Sequence, residues 1–314
     1  MNKHAAGGLS QISAGLSLPV IVAPMFLVSG PRLVVATCRN GMIGSFPVAY
    51  ARNGADLRRW FQDIEDGLAD DPAMRARYAA NLIVHPTNRR LEQDLDLICE
   101  FRVPIVIASV GNAAPIVERV HTYGGIVLTD VARISHARKA IDSGVDGLIL
   151  LCAGAGGHTG WLSPFAFVPE VRQFYDGPVI LAGAISDGAG LHAAQALGAD
   201  LAYVGTRFIA ALESDAKPEY RDMVVESGAD DIALTAAVSG LPANWLKASL
   251  KSAGYTDLDT VPSGPFDFDE KLKAWRDVWG AGHGVGATRS IAGVQEIAAE
   301  LAAEYGKVRE ARLQ

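Results

Sequence analysis

The sequence predicts an α/β protein, a (β/α)₈ TIM barrel with a mostly helical insertion after strand eight. Three observations lead there. Eight short, nearly continuous apolar runs recur along the first two thirds of the chain, and strands that read apolar on both faces belong to parallel sheets covered by helices. Longer amphipathic stretches separate the runs, and several close on a glycine, as helix C-termini do. The count of eight suits a closed barrel, with an open doubly wound sheet as the second choice.

Val20-Ile21-Val22-Ala23-Pro24-Met25 is the first run, followed by a helical stretch over 32–39. The second run covers 41–47. A charged helix over about 56–69 precedes the third, Ala79-Ala80-Asn81-Leu82-Ile83-Val84. The fourth covers 104–110, and the fifth is Gly125-Ile126-Val127-Leu128, whose helix over 134–143 closes on Gly144. The sixth covers 147–152. Pro178-Val179-Ile180-Leu181-Ala182 is the seventh, with a helix over 189–197 closing on Gly198, and Leu201-Ala202-Tyr203-Val204 is the eighth. After Phe208 the rhythm stops: 213 to about 273 is richer in charge and helix formers, with a Pro/Gly/Asp-rich loop over 261–269. We read a barrel from 1–212 and 276–314, with 213–275 as an insertion over its mouth and a final helix over 294–311.

Composition narrows the partners. At 314 residues, 49% hydrophobic and 20% charged, the chain has ample material for a core and none of the marks of disorder. A formal charge of −7 with scattered basic residues argues against nucleic acid and for small molecules. The three cysteines, Cys38, Cys99 and Cys152, form no Cys-x-x-Cys pair, which fits a reducing cytoplasm and indicates neither disulfides nor zinc. His4, His85, His121, His136 and His192 lack metal-ligand spacing, so no metal site is expected. The apolar stretch 16–28 is broken by Pro19 and Pro24 and reads as strand one, not as a signal core, and no membrane span is seen.

Chemistry concentrates where strand six empties into Cys152-Ala153-Gly154-Ala155-Gly156-Gly157-His158-Thr159-Gly160. Glycines let a backbone approach a flat ligand, and an imidazole titrates near neutrality, so the pair suggests a cofactor beside a proton-transfer group. A dinucleotide fingerprint fits poorly, because the third glycine falls one place late at Gly160 and Ser163-Pro164 interrupts the helix. In a barrel of this kind the active site lies at the carboxyl ends of the strands, often with phosphate held after strands seven and eight. There stand Gly183-Ala184-Ile185-Ser186-Asp187-Gly188 and Gly205-Thr206-Arg207, both rich in main-chain donors. Pro24-Met25 offers an apolar shelf and Asn81 an amide able to donate and accept along a heterocycle's edge. Trp161, Phe165 and Phe167 either line the substrate pocket or pack their loop against the insertion. Arg207 either neutralises phosphate or turns outward into an ion pair, and Cys152 packs within strand six.

Ala23-Pro24-Met25, Ala80-Asn81-Leu82, Gly156-Gly157-His158-Thr159-Gly160, Ala182-Gly183 with Gly188, Gly198-Ala199-Asp200, Gly205-Thr206-Arg207-Phe208 and Ala281-Gly282 with Gly284-Val285-Gly286 resemble the nitronate monooxygenase (2-nitropropane dioxygenase-like) family. The resemblance runs from strand one to the last loop. It implies a TIM barrel holding FMN, with the phosphate on the main chain at Gly183, Ala184, Gly205 and Thr206. It also implies a ring near Met25 and Asn81, with Ala23, Pro24, Gly156 and Gly157 among the cofactor-binding residues, and His158 as the catalytic base. His283 and Gly284 of the last loop complete the cofactor set, with His283 standing where the family usually has glutamine and Ala184 where it has a second glycine. Thr129-Asp130 occupies the place where some members carry a lysine beside the flavin. The activity implied is oxidation of alkyl nitronates or nitroalkanes with O₂ to carbonyl compounds and nitrite. The rival within the superfamily is an FMN-dependent NAD(P)H reductase of quinones or enoyl thioesters. Outside redox chemistry the rivals are a phosphate-binding barrel isomerase or lyase, or a flavin-binding module without catalysis.

Overall fold

The computed structural model describes residues 8–9, 12–261 and 275–311. All eight expected runs are strands of one parallel sheet: β1 (Val20–Val22), β2 (Gly44–Pro47), β3 (Tyr78–Ile83), β4 (Ile105–Ser109), β5 (Ile126–Val131), β6 (Gly147–Leu151), β8 (Val179–Ala182) and β9 (Leu201–Val204). A two-residue strand, β7 (Gly157–His158), interrupts the count between the sixth and seventh barrel strands. Spatial order is β1-β9-β8-β6-β5-β4-β3-β2. The seam closes where the Val22 N–H donates to Ile43 O at 2.8 Å and the Ile43 N–H to Val20 O at 3.0 Å, making a barrel.

Alternation of side chains along each strand sorts the core into two layers. Ile21, Ile43, Ala79, Ile105, Ile107, Ile126, Leu128, Ile149, Ile180 and Leu201 fill the interior, with Leu9 among them from the N-terminal segment. Their neighbours Val20, Val22, Ala80, Leu82, Val106, Ala108, Leu148 and Leu150 face the surrounding helices, including Pro31–Arg39, Gly54–Gly67, Leu91–Glu100 and Val294–Ala311. The same period of two carries on to the mouth. One step beyond the interior isoleucines, Asn81, Ser109, Asp130, Leu151, Ala182 and Tyr203 form the layer that floors the open end.

The segment after β9 differs from the expectation in content. Besides the helices Pro218–Glu226 and Lys247–Ser252 it contains an antiparallel hairpin, β10 (Ile232–Thr235) and β11 (Ala243–Leu246), and β11 pairs with β7. Its own core gathers around Trp245, which is fully buried, with Val238, Leu250 and Val278. The expected Pro/Gly/Asp-rich loop lies, beyond Val261, outside the described residues. No helix among the described residues is long and apolar enough to cross a membrane.

Candidate active site

A cavity of about 270 Å³ opens above the floor layer. Of the residues singled out in the sequence, Ala23, Pro24, Met25, Asn81, Gly156, Gly157, His158, Gly183, Ala184, Gly205 and Thr206 all line it. His283 and Gly284 do not. His283 is exposed, and Gly284 packs behind Ala184, where an added Cβ would meet Ala184 O at 2.8 Å.

Three loops converge on one side of this cavity. The 281–284 segment meets the loop after β9 through the Gly282 N–H, which donates to the Thr206 side-chain Oγ1 at 2.9 Å, and joins the loop after β8 on a shared acceptor: the N–H groups of Ala184 and His283 both donate to Gly154 O, at 3.3 and 3.0 Å. Several glycines here are demanded by this packing. A Cβ on Gly282 would lie 2.6 Å from Gly154 O, and one on Gly156 would lie 2.7 Å from Gly282 N. Ala184 keeps a left-handed backbone, φ 55°, in the place a glycine would occupy without strain, and Val110 in the same cavity wall has φ 56°. Arg207 turns away. Its guanidinium bonds Glu300 Oε2 at 2.7 Å and Ser290 O at 3.4 Å, so it is a buried tie to the last helix.

This wall fits a phosphate. Its donors are main-chain amides, the Thr206 hydroxyl already accepts from Gly282 and so has its own proton to give, and no carboxylate lies in it. Asp187, the nearest acid in sequence, caps the Gly188–Ala196 helix through the Gly190 N–H at 2.7 Å. Beside this wall an apolar shelf offers a flat ring a surface: Ala23 and Met25 stand so close to Gly205 that a Cβ there would touch Met25 Sδ at 3.4 Å.

His158 is half-buried on β7, held by the pairing of its residue with Ala243 of β11. Trp275 meets its ring edge-on with centroids 5.3 Å apart, and Ser239 Oγ lies 3.5 Å from Nε2, long for a hydrogen bond. Burial pushes the imidazole down to about 4, because the charged form would lose its hydration. Thus His158 is neutral at physiological pH.

A polar chain crosses the floor. Asn81 Nδ2 donates to Ile107 O at 3.1 Å and to Ser109 Oγ at 2.7 Å, and the Ser109 hydroxyl donates to Asp130 Oδ2 at 2.7 Å. Both amide hydrogens of Asn81 are therefore spent on the neighbouring strand β4, and Oδ1 is what it can offer a ligand. Burial pushes the Asp130 carboxyl up to about 6, partly offset by the Ser109 hydrogen bond. No lysine or arginine lines this cavity among the described residues. Ser109, Asp130 and Tyr203 were not singled out as a set from the sequence, although the alternation that placed Ile107, Leu128 and Leu201 inside points one step further to each. Trp275 had no local signal at all. Of the three aromatics after His158, Phe167 is core, whereas Trp161 and Phe165 are 75% and 73% exposed.

Comparison with known proteins agrees with this geometry. The nitronate monooxygenase family model matches residues 65–262. A nitronate monooxygenase of Paraburkholderia phytofirmans is 28% identical over 286 residues, covering 76% of this chain and 76% of its own. A (3aS,4S,5R,7aS)-5-hydroxy-7a-methyl-1-oxo-octahydro-1H-indene-4-carboxyl-CoA dehydrogenase of Rhodococcus jostii is 26% identical over 237 residues, 75% of this chain, and the match spans 64% of that relative's length. Among solved structures, FabK from Thermotoga maritima superposes with a TM-score of 0.81 at 26% identity, covering 96% of this chain and 97% of its own. With more than half of its length inside the family model and the barrel intact, the chain belongs to the nitronate monooxygenase family of flavin-dependent oxidoreductases.

Proposed function

We propose that the protein is an FMN-dependent nitronate monooxygenase that oxidises alkyl nitronates and nitroalkanes with O₂ to carbonyl compounds and nitrite, with His158 as the base. One observation carries the reading: an imidazole and the amide-rich loops after β8 and β9 line the same cavity. FMN, when bound, supplies the electron acceptor that reacts with O₂. Gly183, Ala184, Gly205 and Thr206 hold its phosphate, Thr206 through its hydroxyl as well as its main chain. Ala23, Pro24, Met25, Asn81, Gly156 and Gly157 frame the ring, and His283 and Gly284 brace the phosphate loop from behind. The insertion excludes water by laying Trp275 and Tyr220 over the cavity.

His158 acts on the proton α to the nitro group. Depressed to about 4, it is a weak base toward a neutral nitroalkane, and an anion bound beside it would raise it again. Substrates that arrive already as nitronates avoid the step. The expected result of His158→Ala is therefore a loss of turnover on nitroalkanes of roughly 10²–10⁴-fold with FMN content unchanged, and a smaller loss on preformed nitronates. Equal losses on both would remove the base role.

A second cavity beside His158 favours an alternative, hydride transfer from NAD(P)H to a quinone or enoyl thioester, since such substrates need more room. An anaerobic series separates the two. Bleaching of the flavin by a nitronate, with nitrite formed in air, supports the monooxygenase, and rapid bleaching by NADH or NADPH supports the reductase. A purified protein that neither carries nor takes up FMN would sink both.

A further inference from the structure

The second cavity, about 710 Å³, shares Val110, Asp130, Leu151 and His158 with the first. Its outer wall comes from the loops after β4 and β5, the residues after β7 and the insertion. A small nitroalkane placed at His158 would leave this space unused.

Two properties of its lining point to a ligand. The first is apolar surface left in water: Trp161 is 75% exposed and Leu234 58% exposed, and both border the cavity from different segments. Large apolar side chains gathered at a concave rim mark a binding surface more than a core. The second is charge. Arg133, His136 and Lys139 line the same cavity, from the N-cap and the exposed face of the Ile134–Asp142 helix. Their closeness shows in His136, whose pKa is held below the usual value by burial and then by the charges of Arg133 and Lys139. Arg58, Arg75, Arg90, Arg119, Arg172 and Arg207 are all in ion pairs with carboxylates. Arg133 and Lys139 have no such pair among the described residues. Arg133 and Lys139 thus bring two cations without a carboxylate partner to the rim of a largely apolar cavity, whose one carboxylate among the described residues, Asp130, accepts from Ser109, and an anion would satisfy them.

We propose that this cavity receives the far end of an elongated, largely apolar substrate that ends in an anionic group, a phosphate or a carboxylate, bound by Arg133 and Lys139 while the reactive end reaches His158. The apolar body lies along Trp161 and Leu234. This rests on reading the first cavity as the flavin site and extends it to a substrate class.

The test is calorimetric titration of the FMN-loaded protein with decyl phosphate, decanoate and decanol. At least one anion is expected to bind about tenfold or more tightly than the alcohol, with the difference shrinking in high salt. Preference for decyl phosphate would identify a phosphate terminus, and preference for decanoate a carboxylate. The double variant Arg133→Ala/Lys139→Ala should bind all three equally while keeping FMN and the thermal midpoint of the parent. Trp161→Ala should weaken all three. The inference is overturned if the alcohol binds as well as the anions, or if the double variant keeps the anion preference. FMN content is read separately by absorbance, so a protein that prefers the anion yet takes up no FMN would lose the flavin reading and keep the subsite.

Discussion

Asp130 sets the charge of the cavity floor. Its carboxyl receives hydrogen bonds from the Ser109 hydroxyl and from the main chain of Asp130 and Val110; among the described residues no cationic side chain lines the first cavity, and Arg133 and Lys139 line the second. Ionised, it opposes any gain of negative charge above the floor; protonated, it does not, and it becomes a donor. With the carboxyl pushed up to about 6, the switch between these states falls just below neutrality. Asp130→Asn keeps the size and the acceptor for Ser109 while removing the charge. The reduction potential of bound FMN is therefore expected to rise at pH 8 by on the order of tens of millivolts in the variant, and to match the parent at pH 5. Spectroelectrochemical titration at the two pH values measures this, and an unchanged potential at pH 8 would place Asp130 outside the electrostatic reach of the ring. The residue is legible in the sequence only by strand alternation, because its type contradicts the lysine that the family resemblance leads one to look for.

At the scale of elements, the proposed cofactor wall is made of loops that touch backbone to backbone. Gly282 shows the tolerance: its missing Cβ would lie 2.6 Å from Gly154 O and 3.0 Å from Gly156 N, atoms that cannot swing aside. Gly286, one turn on, has open space, with only Gly228 Cα at 3.9 Å. Gly282→Ala should force the 154–156 and 281–284 segments apart, lowering stability by about 1–3 kcal/mol and weakening FMN, whereas Gly286→Ala should be nearly neutral. Denaturant unfolding together with FMN titration of both variants decides it. The glycines were visible in the sequence, but their reason was not. They read as room for a ligand, and at Gly156, Gly282 and Gly284 the space is taken by another loop of the same chain. Strand β7 and the β10–β11 hairpin were invisible for a related cause. Two residues carry no periodicity, and Ala243, the partner that makes His158 a strand residue, lies far along the sequence.

For the molecule as a whole, the two groups facing the cavity oppose each other in pH. His158 is lowered from 6.5 to about 4, so the folded state resists its protonation: this cost is absent above pH 6.5, grows as pH falls and is complete below about 4. Asp130 is raised from 3.8 to about 6, so its cost is absent below 3.8, grows as pH rises and is complete above about 6. Each is worth at most about 3 kcal/mol. Relative to the parent, His158→Gln should gain stability at pH 5 and little at pH 8, whereas Asp130→Asn should gain at both and more at pH 8 than at pH 5. Unfolding of the flavin-free chain in urea at both pH values reads the two signs directly. The barrel strands were legible in order and to within about three residues at their ends, because interior and exterior positions repeat every second residue and helices close on glycines.

The ladder between His158 and Ala243 ties the proposed base to the segment that follows β9. An outer segment grafted from a relative would arrive without the strand that aims this imidazole, and the hybrid would bind its prosthetic group yet work poorly. Swaps meant to change what the protein accepts should therefore carry residues 157–158 and 243–246 together, as a single exchangeable cassette.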